Sequence, residues 1–361
     1  MKASRRQFTA AALAATATPS ISAAAAAGLT PAPSGARAGQ EGLHLPERFI
    51  PVPKSVSPQA QAFLAQSGNA PAQSPPAAGD LNAWRAYVEA GNAGMTPMMQ
   101  RLASEHPAKL VTHRLSSANL YEIEPSTYSA SHAELAILYV HGGGFTVGFG
   151  ISAAYAAHPI AGMAGVRTFS IDYGMPPDRP FPAGLDDTVE AYRFLLTRYS
   201  AEKIAVFGPS AGGGLAAAFL LKARDLGLPL PAACVLATPE ADLTESGDTF
   251  ETNDTIDVVL KHRLTNSILL YANGHDLTHP YLSPLFGDFT KGFPPTLLTS
   301  GTRDLFLSNT VRLHRALRKA GVAAELHVWE AMPHGSAMGT PEGQEMYDEQ
   351  IGFIRRHLGL R

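Results

Sequence analysis

Apolar positions sort along the chain into two regimes. From about Ala133 onward, short runs rich in β-branched and aliphatic residues recur: "LAILYV", "VRTFSID", "KIAVFG", "AACVLAT", "PTLLTSG" and "AELHVWE". Several end at glycine or just before one, and amphipathic stretches such as "LDDTVEAYRFLLTRY", "SAGGGLAAAFLLKARDLG" and "LSNTVRLHRALRKAG" lie between them. Continuous apolar strands that alternate with helices predict a mostly parallel sheet covered by helices on both faces, with right-handed crossovers. The fold class is therefore α/β, and the carboxyl ends of its strands are where chemistry is expected.

Before that region the pattern is different. Residues 29 to about 79 are rich in Pro, Ala, Gly, Ser and Gln and carry little periodicity, a composition that cannot pack a core by itself. "PERFIPVPKSVSPQAQAFLAQ" allows one short helix, and "LNAWRAYVEAGNAGMTPMMQRLASEH" sets Leu81, Trp84, Tyr87 and Val88 at helical spacing. Residues 28–119 accordingly read as a linker and covering helices, and residues 120–361 as the core. A stretch from about 242 to 289, dotted with His, Asn and Thr, breaks the strand–helix rhythm and reads as an insertion above the sheet.

The first 27 residues contain Arg5 and Arg6 followed by Gln7 and Phe8, an alanine-rich apolar stretch, and A-x-A sites near Ala23 to Ala27. That is the pattern of a twin-arginine export signal, which predicts a periplasmic or secreted protein. No later run of about 18 apolar residues follows, so no stable membrane insertion is expected.

Composition narrows the classes further. Of 361 residues, 45% are hydrophobic and 16% charged, enough for a large core. A net charge of −3 without a Lys/Arg run argues against a nucleic-acid partner. Cys234 is the single cysteine, which excludes an intrachain disulfide and reads as a small buried hydrophobe. Trp329, Phe207 and Phe219 read as core, and Asp186 and Asp187 as charges at a helix start. A homodimer is left open.

Two glycine clusters fall at strand ends. Gly208-Pro209-Ser210-Ala211-Gly212 fits G-x-S-x-G between an apolar run and a helix, where small flanking residues allow a turn tight enough to expose the serine hydroxyl. Upstream, "YVHGGGF" runs a strand into three glycines, whose N–H groups can face an oxyanion without obstruction. A phosphate-binding loop is disfavoured: no Lys-Ser or Lys-Thr follows the glycines, and no G-x-G-x-x-G lies at either strand end. A serine nucleophile needs a base and a group to orient that base. His334, in "WEAMPHGSAMG", and Asp304, in "LLTSGTRDLFLSNT", supply them in the order Ser, Asp, His. An Asp before a helix is equally a good N-cap, so both readings of Asp304 stay open from the residues alone. His275 and His279 lie four apart in "HDLTH", but flanking Gly274 and Pro280 oppose a helix and a third ligand is not evident; no metal is expected.

In combination, "HGGGF", "IDYGMPPDRPFPAGLDD", "GPSAGG", "GTRD" and "MPHGSAM" resemble the successive signature blocks of the hormone-sensitive lipase family of α/β-hydrolases, a group with many bacterial carboxylesterases. The resemblance spans about Leu135 to the C-terminus. It implies an α/β-hydrolase fold with a helical cap and a cofactor-independent serine hydrolase of short to medium carboxylic esters, with lactones and amides as alternative substrates. It further implies Ser210 as nucleophile, His334 as base and Asp304 as its partner, with the N–H groups of Gly143, Gly144 and Ala211 as oxyanion hole. His141 and Gly142 would shape the glycine turn, and Phe145 and Met175 would line the substrate pocket. The chain departs from the family twice. Pro209 stands where the family often has Asp, and Arg303 stands where its acid commonly lies, with the carboxylate one residue later. A non-catalytic receptor and a surface-acting lipase are the remaining rivals on the same fold.

Overall fold

A computed structural model describes residues 42–43, 47, 49–68, 75–335 and 337–360. The chain divides into two units, residues 1–49 and 50–361. In the first, the few described residues form no helix or strand. The export-signal reading of residues 1–27 lies outside the described residues.

The second unit opens with helices α1 (Pro58–Gly68) and α2 (Leu81–Glu105), followed by strands β1 (Ala108–Arg114) and β2 (Asn119–Pro125). Then come β3 (Ala136–Val140), α3 (Ile151–Ala164), β4 (Arg167–Asp172), α4 (Ala183–Leu196), β5 (Ile204–Pro209), α5 (Ala211–Asp225) and β6 (Ala233–Ala237). The short helices α6 (Thr249–Thr252) and α7 (Thr265–Ala272) precede β7 (Thr296–Gly301), α8 (Leu307–Lys319), β8 (Ala324–Trp329) and α9 (Pro341–His357). The sheet has the order β1-β2-β4-β3-β5-β6-β7-β8. It is parallel from β4 to β8 and antiparallel at β1–β2 and β2–β4.

Alternation along each strand produces two apolar layers. Leu138, Val140, Ile204 and Val206 join one cluster with Leu185 of α4, Phe219 of α5 and Leu313 of α8. Their neighbours Ile137, Tyr139, Ala205 and Phe207 join the other, with Ile160 of α3 and Ile354 of α9. Both faces are thus buried, which explains why these strands read as unbroken apolar runs. Cys234, Phe207 and Phe219 are core residues as expected, and Trp329 packs in a smaller cluster with α1.

The strand β1 corrects the reading of residues 28–119 as linker and covering helices alone. It is an edge strand whose residues are at most half-buried, so its sequence, "AKLVTHR", lacks the apolar run that marks the inner strands. Helix α2 lies against the insertion. Its Trp84 and Val88 pack against Leu270 of α7, joining the N-terminal helix to the insertion between β6 and β7. Asp187 also departs from its reading as a helix-end charge. It is 2% exposed, pairs with the Arg179 guanidinium through two oxygens (2.8 and 2.9 Å), and accepts the Gly174 amide. Asp186, in the first turn of α4, does pair at the surface with Lys222.

Candidate active site

The glycine turn, Ser210, the insertion, Asp304 and His334 all follow the carboxyl ends of parallel strands: β3, β5, β6, β7 and β8 respectively. Each strand delivers its loop to the same edge, so residues up to 124 positions apart can meet.

Ser210 sits between β5 and α5 with φ 55° and ψ −128°, a conformation costly for a residue with a Cβ. Its neighbours make the turn feasible. A Cβ on Gly212 would lie 2.0 Å from Val140 O, and one on Gly208 would lie 2.4 Å from Gly212 O, so only glycine fits either place. The Ser210 amide donates to Ala237 O (2.8 Å), and Ser210 O accepts from Glu240 N (3.0 Å), pinning the elbow to the end of β6. Pro209 costs the sheet little. The β3 ladder on that side of β5 ends at Phe207, so the missing N–H is not called upon there, and the ring instead lines a small cavity with Gly335 and Gln350.

Ser210 Oγ lies 2.8 Å from His334 Nε2, and His334 Nδ1 lies 3.0 Å from Asp304 Oδ1. Asp304 is fully buried. Its Oδ1 also accepts the Phe306 amide (2.9 Å) and its Oδ2 accepts the Ser300 hydroxyl (2.6 Å). The N-cap of α8 is Phe306, without a side-chain cap bond, so the N-cap reading of Asp304 gives way: its Oδ1 closes a turn onto the Phe306 amide and meets His334. Burial alone would depress the His334 pKa, but its hydrogen bond to Asp304, the Asp304 charge and the Asp257 charge together raise it above its ordinary value. Arg303 turns away: its Nη2 donates to Pro51 O (3.0 Å).

The glycine turn passes beside the serine. An added Cβ on Gly142 would lie 3.2 Å from Ser210 Cβ and 2.9 Å from Pro209 O. Gly143 has φ 119° and Gly144 φ 57°, backbone that side chains rarely adopt, and Gly144 faces Leu264 of the insertion. Ala211 is the first residue of α5, where amides lack an intrahelical acceptor. His141 is buried, its ring stacked on Tyr173 at 4.2 Å between centroids, with Nδ1 2.8 Å from Gly142 O and the Tyr173 hydroxyl donating to His141 O (2.9 Å). Burial lowers its pKa, so the neutral ring donates through Nδ1 to the turn.

Of the two residues expected to line a pocket, Met175 lines a cavity of about 530 Å³ together with Val88 and Glu89 of α2, Phe149 and Tyr173. Ser210 is not among its walls; the Tyr173 ring connects it to the glycine turn through His141. Phe145 is instead 1% exposed and stacked face to face on Tyr271 at 3.9 Å, which makes it a support of the turn. His275 and His279 flank Phe181, with His275 Nδ1 engaged by Ala272 O and His279 Nδ1 by the Tyr281 amide. No cluster of three metal-ligating side chains occurs among the described residues.

Two buried acids beside the site have no spacing signal in the sequence. Glu240 is 1% exposed, and neither carboxyl oxygen has a hydrogen-bond partner among the described residues. Burial, reinforced by the Glu245 charge, pushes its pKa up to about 8, so it holds its proton at neutral pH. Asp257, in the insertion, is fully buried beside both Asp304 and His334.

A family model described as alpha/beta hydrolase fold matches residues 137–338, from within β3 to just past His334. An esterase from the bacterial hormone-sensitive lipase family, known from its crystal structure, superposes with a TM-score of 0.71 at 30% identity, over 84% of this chain and 99% of that one. The chain belongs to the hormone-sensitive lipase family of α/β-hydrolases. The crystal structure of esterase E25 is similar with a TM-score of 0.79 and 34% identity, over 89% of this chain and 99% of the other. An acetyl-hydrolase of Streptomyces hygroscopicus is 34% identical over 228 residues, 62% of this chain and 76% of the relative. Carboxylesterase NlhH of Mycobacterium tuberculosis is 28% identical over 239 residues, 62% and 73% of the two chains. This family member is a hydrolase of the carboxylesterase type. No helix among its described residues is long and apolar enough to cross a membrane.

Proposed function

We propose that the enzyme hydrolyses carboxylic esters of short to medium acyl chain through an acyl-enzyme on Ser210. The observation that carries this reading is the 2.8 Å contact of Ser210 Oγ with His334 Nε2, backed by Asp304 on the far ring nitrogen. Ser210 Oγ attacks the ester carbonyl carbon while His334 Nε2 takes the hydroxyl proton. The C–O bond to the alcohol then breaks, and His334 returns the proton to the departing oxygen. Water, deprotonated by the same nitrogen, attacks the acyl carbonyl, releases the acid and restores the serine. Asp304 holds the imidazole with its proton on Nδ1 and stabilises the imidazolium that forms in each half-reaction. The Gly143, Gly144 and Ala211 amides receive the oxyanion. A crystal of the related esterase EstE5 was soaked with p-nitrophenyl butyrate, and the acetyl-hydrolase relative is named for the smallest common acyl group, which supports the choice of chain length.

A panel of p-nitrophenyl esters of graded acyl length, run beside lactones and arylamides, tests the reading. The expected result is the highest kcat/KM on acetyl to hexanoyl esters; a preference for lactones or amides would replace the ester assignment with one of those.

The pH profile has a definite sign. The base must be neutral to accept a proton, and His334 titrates above its ordinary value of about 6.5. kcat/KM should therefore fall on an acidic limb centred above that ordinary value; a limb centred below it would contradict the placement of His334 between two carboxylates.

A further inference from the structure

Asp257 lies 48 residues from Leu305 and 77 from His334 in sequence, yet its carboxylate joins the backbones of both. Oδ2 accepts the Leu305 amide (2.8 Å) and the His334 amide (3.0 Å), while Oδ1 accepts the amides of Val259 (2.9 Å) and Leu260 (3.0 Å) within its own segment. The side chain is fully buried. Four N–H groups around one carboxyl match the ionised form. Nearby, Asn253 Nδ2 donates to Asp304 O (2.9 Å) and Thr302 O (3.2 Å), so the same stretch of the insertion holds the acid-bearing turn at a second point. Leu260 and Leu264 pack with Leu305 and Phe306, and Val258 packs with Met332 and Ala337.

From this arrangement we infer that Asp257 is a positioning residue for the Ser210–His334–Asp304 chain: it sets the spacing of the two loops that carry His334 and Asp304 and presents a second negative charge to the His334 ring. The inference rests on the hydrolase reading above and extends it to the insertion. The geometric part follows from a single oxygen. Because the Leu305 and His334 amides share Oδ2, neither loop can shift relative to the other without losing a charge-assisted bond. The 3.0 Å contact between His334 Nδ1 and Asp304 Oδ1 depends on that spacing. The electrostatic part concerns the imidazolium of the transition state. The groups that face His334 are Asp304 from the β7–α8 turn, Asp257 from the insertion and the Ser210 hydroxyl from the elbow; those that face Asp257 are Asp304 and His334. Burial and the Asp304 charge push the Asp257 pKa up to about 6, so it is ionised over the range in which the base works.

The test is Asp257→Asn in the full chain, assayed with p-nitrophenyl butyrate beside wild type and Ser210→Ala. The amide turns one acceptor into a donor facing two N–H groups and removes the charge. kcat should fall on the order of tenfold to a hundredfold. KM should stay within about twofold, since no substrate contact is lost. The acidic limb of kcat/KM should move to lower pH, because a negative charge that favoured the protonated ring is gone. A folded Asp257→Asn protein with wild-type kcat, or with reduced kcat and an unmoved limb, overturns the inference. Fluorophosphonate labelling of wild type but not Ser210→Ala checks the hydrolase reading separately; its failure would sink that reading and not the role of Asp257 in spacing the loops. Should Asp257→Asn fail to fold, replacement of Leu305 by its α-hydroxy analogue deletes one of the four donors and no side chain. A several-fold lower kcat with unchanged KM is then expected, and full activity refutes the proposal.

Discussion

Ser210→Ala should lower turnover of ester substrates on the order of 10⁶-fold with the fold intact. The size of the effect comes from the loss of the covalent route: with no Oγ, His334 Nε2 has no hydroxyl to deprotonate 2.8 Å away, and only the glycine turn and the binding of substrate remain. The fold should tolerate the change. The strained φ of 55° is imposed by the amide of Ser210 on Ala237 and the amide of Glu240 on Ser210, bonds an alanine keeps. Active-site titration of the wild type with a fluorophosphonate, followed by kcat on the titrated sites, gives the reference rate. Residual hydrolysis within a hundredfold of wild type by a folded, uncontaminated variant would remove Ser210 from the nucleophile's role.

Asp304→Ala carries the second largest expected loss, on the order of 10⁴-fold in kcat. Three donors converge on this carboxylate: His334 Nδ1, the Phe306 amide and the Ser300 hydroxyl. Truncation frees the ring to rotate and leaves the imidazolium without its counter-charge. Asp304→Asn should retain more activity than Asp304→Ala, and the structure gives the reason. The Phe306 amide accepts no hydrogen bond, so the asparagine oxygen is steered to the Oδ1 place, where it still receives the Nδ1 proton, while the NH₂ group meets the Ser300 hydroxyl, which can accept it. The charge is lost but the tautomer is kept. If the asparagine variant is as inactive as the alanine variant, orientation by Phe306 plays no part; if the alanine variant stays within tenfold of wild type, Asp304 only closes the turn before α8.

The insertion behaves as part of the site rather than as a separate cover. Leu264 meets Gly144, Tyr271 carries Phe145, Asn253 holds the carbonyl of Asp304, and Asp257 holds the amide of His334. Changes in this segment should therefore register in kcat as well as in substrate preference.

The inner strands, the two glycine turns and the strand-end placement of Ser210 and His334 were legible in the order of residues alone. These depend on local demands: a doubly covered strand must be apolar throughout, and a turn residue whose added Cβ would come within 2 to 3 Å of neighbouring backbone must be glycine, so both leave a mark at fixed spacing. Strand β1 left none, because an edge strand with one covered face can be as polar as a loop. Arg303 and Asp304 occupy one turn, and the folded direction of that turn sends the first to Pro51 O and the second to His334 Nδ1. Folding alone places Phe145 on Tyr271 and brings beside the elbow the Glu240 carboxyl, which has no hydrogen-bond partner among the described residues. Asp257 is the clearest case: its partners are backbone amides, which every residue carries, so no choice of side chain at Leu305 or His334 records the contact, and only the folded path of the chain brings it about.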